Sequence, residues 1–275
     1  EIERHLKKLL SGQDDADKYS YQSVFKTDNG LYAKADCIRD NGDGTINLYE
    51  VKSSTSVKRD SKRNHIKDAT FQKIAAEDSG LKVNSVFIVH LNSKYALDGT
   101  INSQELLTFS NVTTEVSELI PQIRVQIDNA LELLNSSFID ESSCSCLQLS
   151  KSNHCDTFDY FNPGIPKYSI YNLPRIREKK LSSFVSDGRF DLDEIALHEV
   201  SDTQALVLKS AHLKAPVIDH EKISNWFSKV EHPVYFLDYE TYGSAAPIIN
   251  DARPHFQIPF QYSLHIKKSP DDDVL

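Results

Sequence analysis

The chain of 275 residues predicts a protein of the α/β class. Three observations carry that prediction. Alternating apolar and polar residues recur in three short segments between positions 19 and 52, separated by Gly-containing turns. A nearly continuous apolar run, "VNSVFIVHL" (Val83–Leu91), has the form of a strand buried on both faces. Segments of helical period stand between and around these runs. Strands on both sides of a helix call for a layered α/β arrangement.

The elements follow in order. "IERHLKKLL" (Ile2–Leu10) has helical apolar spacing and ends at Ser11-Gly12. "YSYQSVFK", "LYAKADCIR" and "INLYEVK" (19–26, 31–39 and 46–52) read as strands. Asp28-Asn29-Gly30 and "DNGDGT" between them are hairpin turns, which makes the three an antiparallel meander. A polar, basic stretch leads to "HIKDATFQKIAAEDSG", a helix with Gly80 as its C-cap. After the apolar strand, 112–134 reads as a helix kinked or begun at Pro121. Positions 136–180 are rich in Ser, Cys, Asn and Pro with little periodicity, as in a loop-rich insert or linker. "DEIALHEV" hints at one short element. Asp219 caps a helix reaching 230, with Trp226 on its apolar face. "PVYFLDYETYG" is a strand ending in carboxylates, and 253–266 supply a turn and a further strand. The expected division is 1–135, 136–218 and 219–275.

A net charge of -9 argues against a general nucleic-acid coat, while leaving room for a local basic site. No apolar run approaches the ~20 residues of a membrane span, and no signal segment opens the sequence. A cytoplasmic protein without membrane contact is the expectation. The sequence opens on Glu1 and contains no Met, so the natural start is expected upstream. Of the four cysteines, Cys37 stands alone and Cys144, Cys146 and Cys155 cluster late. That is a poor disulfide framework and a better candidate for metal.

The third strand holds the first chemical signal. Residues two apart on a strand share a face, about 6.6–7 Å from each other. Glu50 and Lys52 therefore point the same way, and Asp36 lies on the neighbouring strand. An isolated Glu-x-Lys is most often an exposed ion pair; an Asp one strand earlier lowers the weight of that reading. Two convergent carboxylates bind a hard cation such as Mg²⁺ or Mn²⁺. A lysine beside them orients or deprotonates water, or stabilises a developing anion. This is the chemistry of phosphodiester hydrolysis.

The order Asp36, turn, Glu50-Val51-Lys52, then a helix carrying Gln72, resembles the PD-(D/E)XK nuclease superfamily in its RecB-like branch, which includes the CRISPR-associated adaptation nucleases. The resemblance covers roughly 19–91. It implies a restriction-endonuclease-like mixed sheet flanked by helices. Asp36 and Glu50 become metal ligands, Lys52 the catalytic lysine, and Gln72 a helix residue facing the site. A nuclease of exonuclease type acting on nucleic acid, DNA in preference, is implied. Ala75 and Ala76 stand where the family often has a Tyr. Its early acidic or His ligand is expected before Glu1, with Glu3 and His5 as substitutes.

Lys58, Arg59, Lys62, Arg63, Lys67 and Lys73 crowd the segment after Lys52 and would attract a phosphate backbone. The other reading is an ordinary solvated loop. The RecB-like resemblance also implies that Cys144, Cys146 and Cys155 close the fold around a [4Fe–4S] cluster, with an early fourth Cys upstream. Zinc and plain reduced thiols are the alternatives. Finally, Asp238 and Glu240 in "VYFLDYET" resemble the first motif of DEDD exonucleases. There D-x-E supplies ligands to two metals about 3.5–4 Å apart on an RNase H-like fold. This resemblance extends to a bacterial family joining both domains, and implies that the second domain is cut short. Two further readings stay open. One is a non-catalytic nucleic-acid-binding or assembly module on the nuclease fold. The other is a redox protein built on the late cysteines.

Overall fold

The computed structural model describes residues 1–13, 15–60, 63–142 and 144–273. It begins with helix α1 (Ile2–Leu10), whose Ile2, Leu6 and Leu10 recur every fourth residue and bury one face. The meander follows as β1 (Tyr19–Lys26), β2 (Tyr32–Asp40) and β3 (Ile46–Val51), each antiparallel to the one before. Helix α2 (His65–Asp78) is capped by Asn64, whose side chain accepts from the Ile66 and Lys67 amides. It ends at Ser79, and Gly80 just beyond takes a φ of 97°, which an L side chain would resist. Strand β4 (Val83–Leu91) then lies parallel to β3, the usual outcome of a helical crossover. Helix α3 (Ser103–Leu106) leads into β5 (Leu107–Asn111), antiparallel to β4, and α4 (Thr113–Asn135) follows.

These strands make one mixed sheet in the order β1-β2-β3-β4-β5. Against one face, Leu48, Val86 and Ile88 pack with α2 and α4 through Ala69, Ile74 and Val116. On the other, Tyr49, Val89 and Leu91 pack with Ile2 and Leu6 of α1. Ala75 and Ala76, where a Tyr was considered, are fully buried and let α2 approach the sheet. The segment "LTFSN" is a strand not singled out by sequence, its alternation being too short to be told from a loop. Of the two readings of Pro121, the start of a helix is excluded, since it lies inside α4.

The residues fall into two units, Glu1–Asn135 with Tyr235–Leu275, and Ser136–Val234. The second unit holds α5 (Phe158–Phe161), α6 (Glu178–Ser186), α7 (Asp202–Leu213) and α8 (His220–Phe227). Its core is built by Phe158, Ile170, Leu181, Phe184, Leu192 and Leu208. "DEIALHEV" forms two short 3-10 turns, Leu192–Glu194 and Leu197–Glu199. Asp219 caps α8 by accepting from the Lys222 amide at 2.9 Å. Trp226, expected on an apolar face, is 64% exposed, and α8 buries none of its residues.

Strands β6 (Val234–Gly243) and β7 (Gln257–Lys267) make a separate two-stranded sheet, and both carry mostly exposed side chains. Between them, the backbone at Asp251 and Ala252 exchanges hydrogen bonds of 2.8 and 3.0 Å with Leu97. Ala246 is buried in the cluster around Ile2 and Leu6. Among the described residues no helix is long and apolar enough to cross a membrane.

Candidate functional site

Strand register brings Asp36 and Glu50 together. The β2–β3 ladder ends at the pair Cys37–Tyr49, and Asp36 and Glu50 are the residues immediately beyond it on the two strands. The Val51 amide donates to Asp36 Oδ2 at 2.8 Å, fixing that carboxylate against the end of β3.

A change of face re-aims Asp36. Along β2, Ala33 and Ala35 pack in the cluster under α2 and α4, whereas Cys37 packs in the opposite one. Along β1, Phe25 and Tyr21 divide in the same way. The residues at the crossover are Asp36 and, facing it, Gln22, whose φ is 55°. Such irregularities turn side chains and are common beside functional sites. Both strands change face together, so their pairing continues in register on either side.

Glu50 is 7% exposed and binds two partners. Lys52 Nζ donates to Oε1 and Gln72 Nε2 to Oε2, each at 2.7 Å. Burial first, and then the Asp36 charge, push its carboxyl up to about 7, against the pull of Lys52 and Gln72. Lys52 also donates to Asp68 Oδ2 at 2.6 Å. Burial works against its charge, but the bonds to Asp68 and Glu50 prevail and hold it above the usual lysine range. Lys52 is thus an ammonium with two carboxylate partners. Gln72 Oε1 is buried with no partner among the described atoms.

Two neighbouring carboxylates, one raised by burial and then by the other's charge, with an orphaned amide oxygen beside them, form an all-oxygen donor set. That chemistry fits a hard divalent ion. Among the described residues, three ligating side chains within 4.8 Å of one another occur only at the cysteines. An ion between Asp36 and Glu50 would therefore take its remaining ligands from water, substrate or main chain, the usual habit of Mg²⁺.

Three neighbours, Gln22, Asp68 and His255, complete the site without having been singled out by sequence for a role in it. Gln22 Nε2 donates to Asp36 Oδ1 at 3.3 Å and to Glu3 Oε2 at 3.1 Å, linking α1 to the acidic pair. Glu3, offered only as a substitute ligand, is thereby placed at the edge of the site. Asp68 stands one turn before Gln72 on α2, a four-residue spacing that sequence could have flagged. His255, with φ 63°, puts Nε2 2.6 Å from the Ser53 carbonyl, next to Lys52. An open cleft of about 360 Å³ lies alongside, lined by Glu1, Ile2, Glu3, Val51, Ser53 and Ala245. His5 is elsewhere, buried with Nδ1 3.4 Å from Ser103 Oγ.

The basic residues separate. Lys58, Arg63 and Lys67 have at least part of their surface in solvent. Arg59 forms a two-pronged pair with Glu115, at 2.6 and 2.7 Å, so its charge is already matched. Lys73 is 7% exposed, bonded to Glu77 and to the Val83 carbonyl, and cannot meet a ligand in solution. Lys62 lies outside the described residues.

Cys144, Cys146 and Cys155 in the second unit converge, their Sγ atoms within 4.8 Å of one another, and can hold a metal. The hydrogen bond with Thr157, then that with Cys146, hold the Cys155 thiol below its ordinary range. His154 is stacked on Phe158 at 3.6 Å and bonded to the Leu149 carbonyl. Cys37 is fully buried in the first unit, and burial pushes its thiol up to about 12. Asp238 and Glu240 are both exposed on β6, and no third ligand among the described residues joins them.

Residues 235–274, which span nearly all of β6 and β7, match the family described as Domain of unknown function (DUF2779). The match does not extend to Asp36, Glu50, Lys52 or Gln72. No curated protein matches the chain.

Proposed function

We propose that the chain is a divalent-metal-dependent nuclease of PD-(D/E)XK type, RecB-like branch, that hydrolyses phosphodiester bonds of nucleic acid, DNA being the expected substrate. The observation that supports this reading most is the convergence of Asp36, Glu50, Lys52 and Gln72 from two neighbouring strands and one helix. Asp36 and Glu50 would hold Mg²⁺ or Mn²⁺, which supplies polarisation of a phosphoryl oxygen and acidification of water. The Lys52 ammonium suits donation to the anionic phosphate better than removal of a proton, since two carboxylates already hold its charge. Gln72 keeps Glu50 oriented and offers its free amide oxygen to water or substrate. Glu3 and Gln22 hold Asp36 from the side of α1. Lys58, Arg63 and Lys67 would meet the phosphate backbone.

On the DEDD resemblance, Asp238 and Glu240 would supply half of a second two-metal site. In the second unit the three thiolates would bind zinc or an iron–sulfur cluster in a structural role.

The test is cleavage of single- and double-stranded DNA and of RNA by the purified chain with Mn²⁺. Lys52→Ala should lower cleavage at least ~100-fold, the scale of a lost transition-state donor, while leaving the circular dichroism unchanged. A variant that cuts as well as the wild type would sink the nuclease reading. Binding without cleavage in every metal would favour a non-catalytic module on the same fold.

A further inference from the structure

The second unit carries a cavity of about 330 Å³ bordered by Arg175, Arg177, Lys180, Glu199 and the first turn of α7. Its charge runs against that of the whole chain, which is -9. Among the described residues, none of the three cations has an ion-pair partner. The one lining carboxylate, Glu199, is matched already. Both its oxygens accept from Arg189 at 3.0 Å, and Oε2 also accepts from the Ala196 amide. Arg189 first, and then that amide, hold Glu199 down to about 2. Three positive charges thus border the cavity against one carboxylate, which is bonded to Arg189 and lies within reach of the Lys180 charge, so the lining keeps a net positive charge.

The wall is also fixed in place. Lys180 rests its ammonium 4.7 Å from the ring centre of the buried Phe184. Gln204, itself 8% exposed, donates to the Pro174 carbonyl at 2.9 Å and accepts from the Ser201 amide at 3.1 Å. That bond ties the residue before Arg175 to the start of α7. Arg175 is held at φ 53°, a conformation an arginine does not choose without support from its surroundings.

We propose that this cavity binds a phosphate group. Guanidinium forks match phosphate oxygens in pairs, and a tetrahedral oxyanion presents oxygens in enough directions to engage all three cations. The phosphate can belong to a nucleic-acid strand or to free phosphate, and the two sources are separable by experiment. The inference stands on the second unit alone and does not require the Asp36–Glu50 site to be catalytic.

The test uses the full chain and the double substitution Arg175→Gly/Arg177→Asn. Glycine accepts the positive φ, and Arg177 is the N-cap of α6 with no side-chain cap bond, a place where asparagine is favoured. The variant should therefore fold with an unchanged or higher melting temperature. Inorganic phosphate is titrated by calorimetry, and a short single-stranded oligonucleotide by fluorescence anisotropy in EDTA. Lys151→Ala, an exposed cation outside the cavity, is the charge control. The wild type and Lys151→Ala should bind alike, and the double variant should lose at least ~10-fold in affinity for one probe. Loss confined to the oligonucleotide, with a salt dependence shallower by about 1.4 in log–log slope, assigns the site to a nucleic-acid strand. Loss confined to inorganic phosphate assigns it to free phosphate. A folded double variant that binds both probes like the wild type overturns the proposal, as does a wild type that binds neither.

Discussion

Glu50 is the residue on which the chemistry and the stability of the first unit both turn. Unfolded, it titrates near its ordinary 4.5; folded, near 7. Between those values the folded chain keeps a proton that the unfolded chain has released. Stability therefore falls as pH rises from about 4.5 to about 7, and the whole penalty stands above 7. A difference of that size is worth about 3–4 kcal/mol for a group this buried. Glu50→Gln keeps the shape and removes the charge. In metal-free protein it should raise the melting temperature at about pH 8, leave it unchanged near pH 4.5, and abolish cleavage. Mn²⁺ should raise the melting temperature of the wild type at about pH 8 and not that of the variant. Thermal unfolding across pH, with and without Mn²⁺, reads all of this. Parallel curves for the two proteins would mean that Glu50 is not the strained carboxylate its surroundings imply.

At the scale of the elements, the crossover at Gln22 and Asp36 decides where the acidic pair points. Glycine takes a φ of 55° without the strain that glutamine bears there, but it lacks the amide that joins Glu3 to Asp36. Gln22→Gly should keep the melting temperature within about 3 °C, a shift of order 1 kcal/mol. Cleavage should fall ~10-fold or more, the rate equivalent of about 1.4 kcal/mol in the transition state. Gln22→Val, β-branched at a positive φ, should instead destabilise the fold by ~1–2 kcal/mol. Equal activity in Gln22→Gly and wild type would show that the link does not matter. Nothing in the letters Gln-22 announces a left-handed backbone, so this device is not legible in sequence. Strands β1 to β4 are legible, because their alternation or their apolar run leaves few other ways to bury the side chains. The spacing of Glu50, Lys52 and Gln72 is legible too, since strand period and one helix bring those three together, whereas the turn of Asp36 toward them needs the crossover. Strand β5 is not legible, having too few residues for a period to appear. Helix α7 is also hidden, because it buries a polar Gln204 beside Leu208 rather than a clean apolar stripe.

For the molecule as a whole, long-range contacts are what sequence hides most. His255 meets Ser53 across a separation of 202 residues, and no local pattern predicts that the segment between β6 and β7 reaches the edge of the acidic site. The cysteines are the opposite case, since Cys144, Cys146 and Cys155 are near in sequence and converge in space. Cys144 and Cys146 also pack against the core of the second unit, so whatever the thiolates hold becomes part of what holds that unit together. A ligand that binds the folded state alone at a hundred times its dissociation constant adds about 2.7 kcal/mol. Protein purified anaerobically should carry zinc or iron in a fixed ratio to chain by elemental analysis. Visible absorbance and acid-labile sulfide identify a cluster, and their absence alongside bound zinc identifies a mononuclear site. Cys144→Ser/Cys146→Ser should lose the metal and destabilise the second unit, as seen by faster amide exchange in 136–234. The Mn²⁺-dependent unfolding of the Glu50 site should be untouched. Metal retained by the double variant, or none in the reduced wild type, would mean that the three thiols pack together without a ligand.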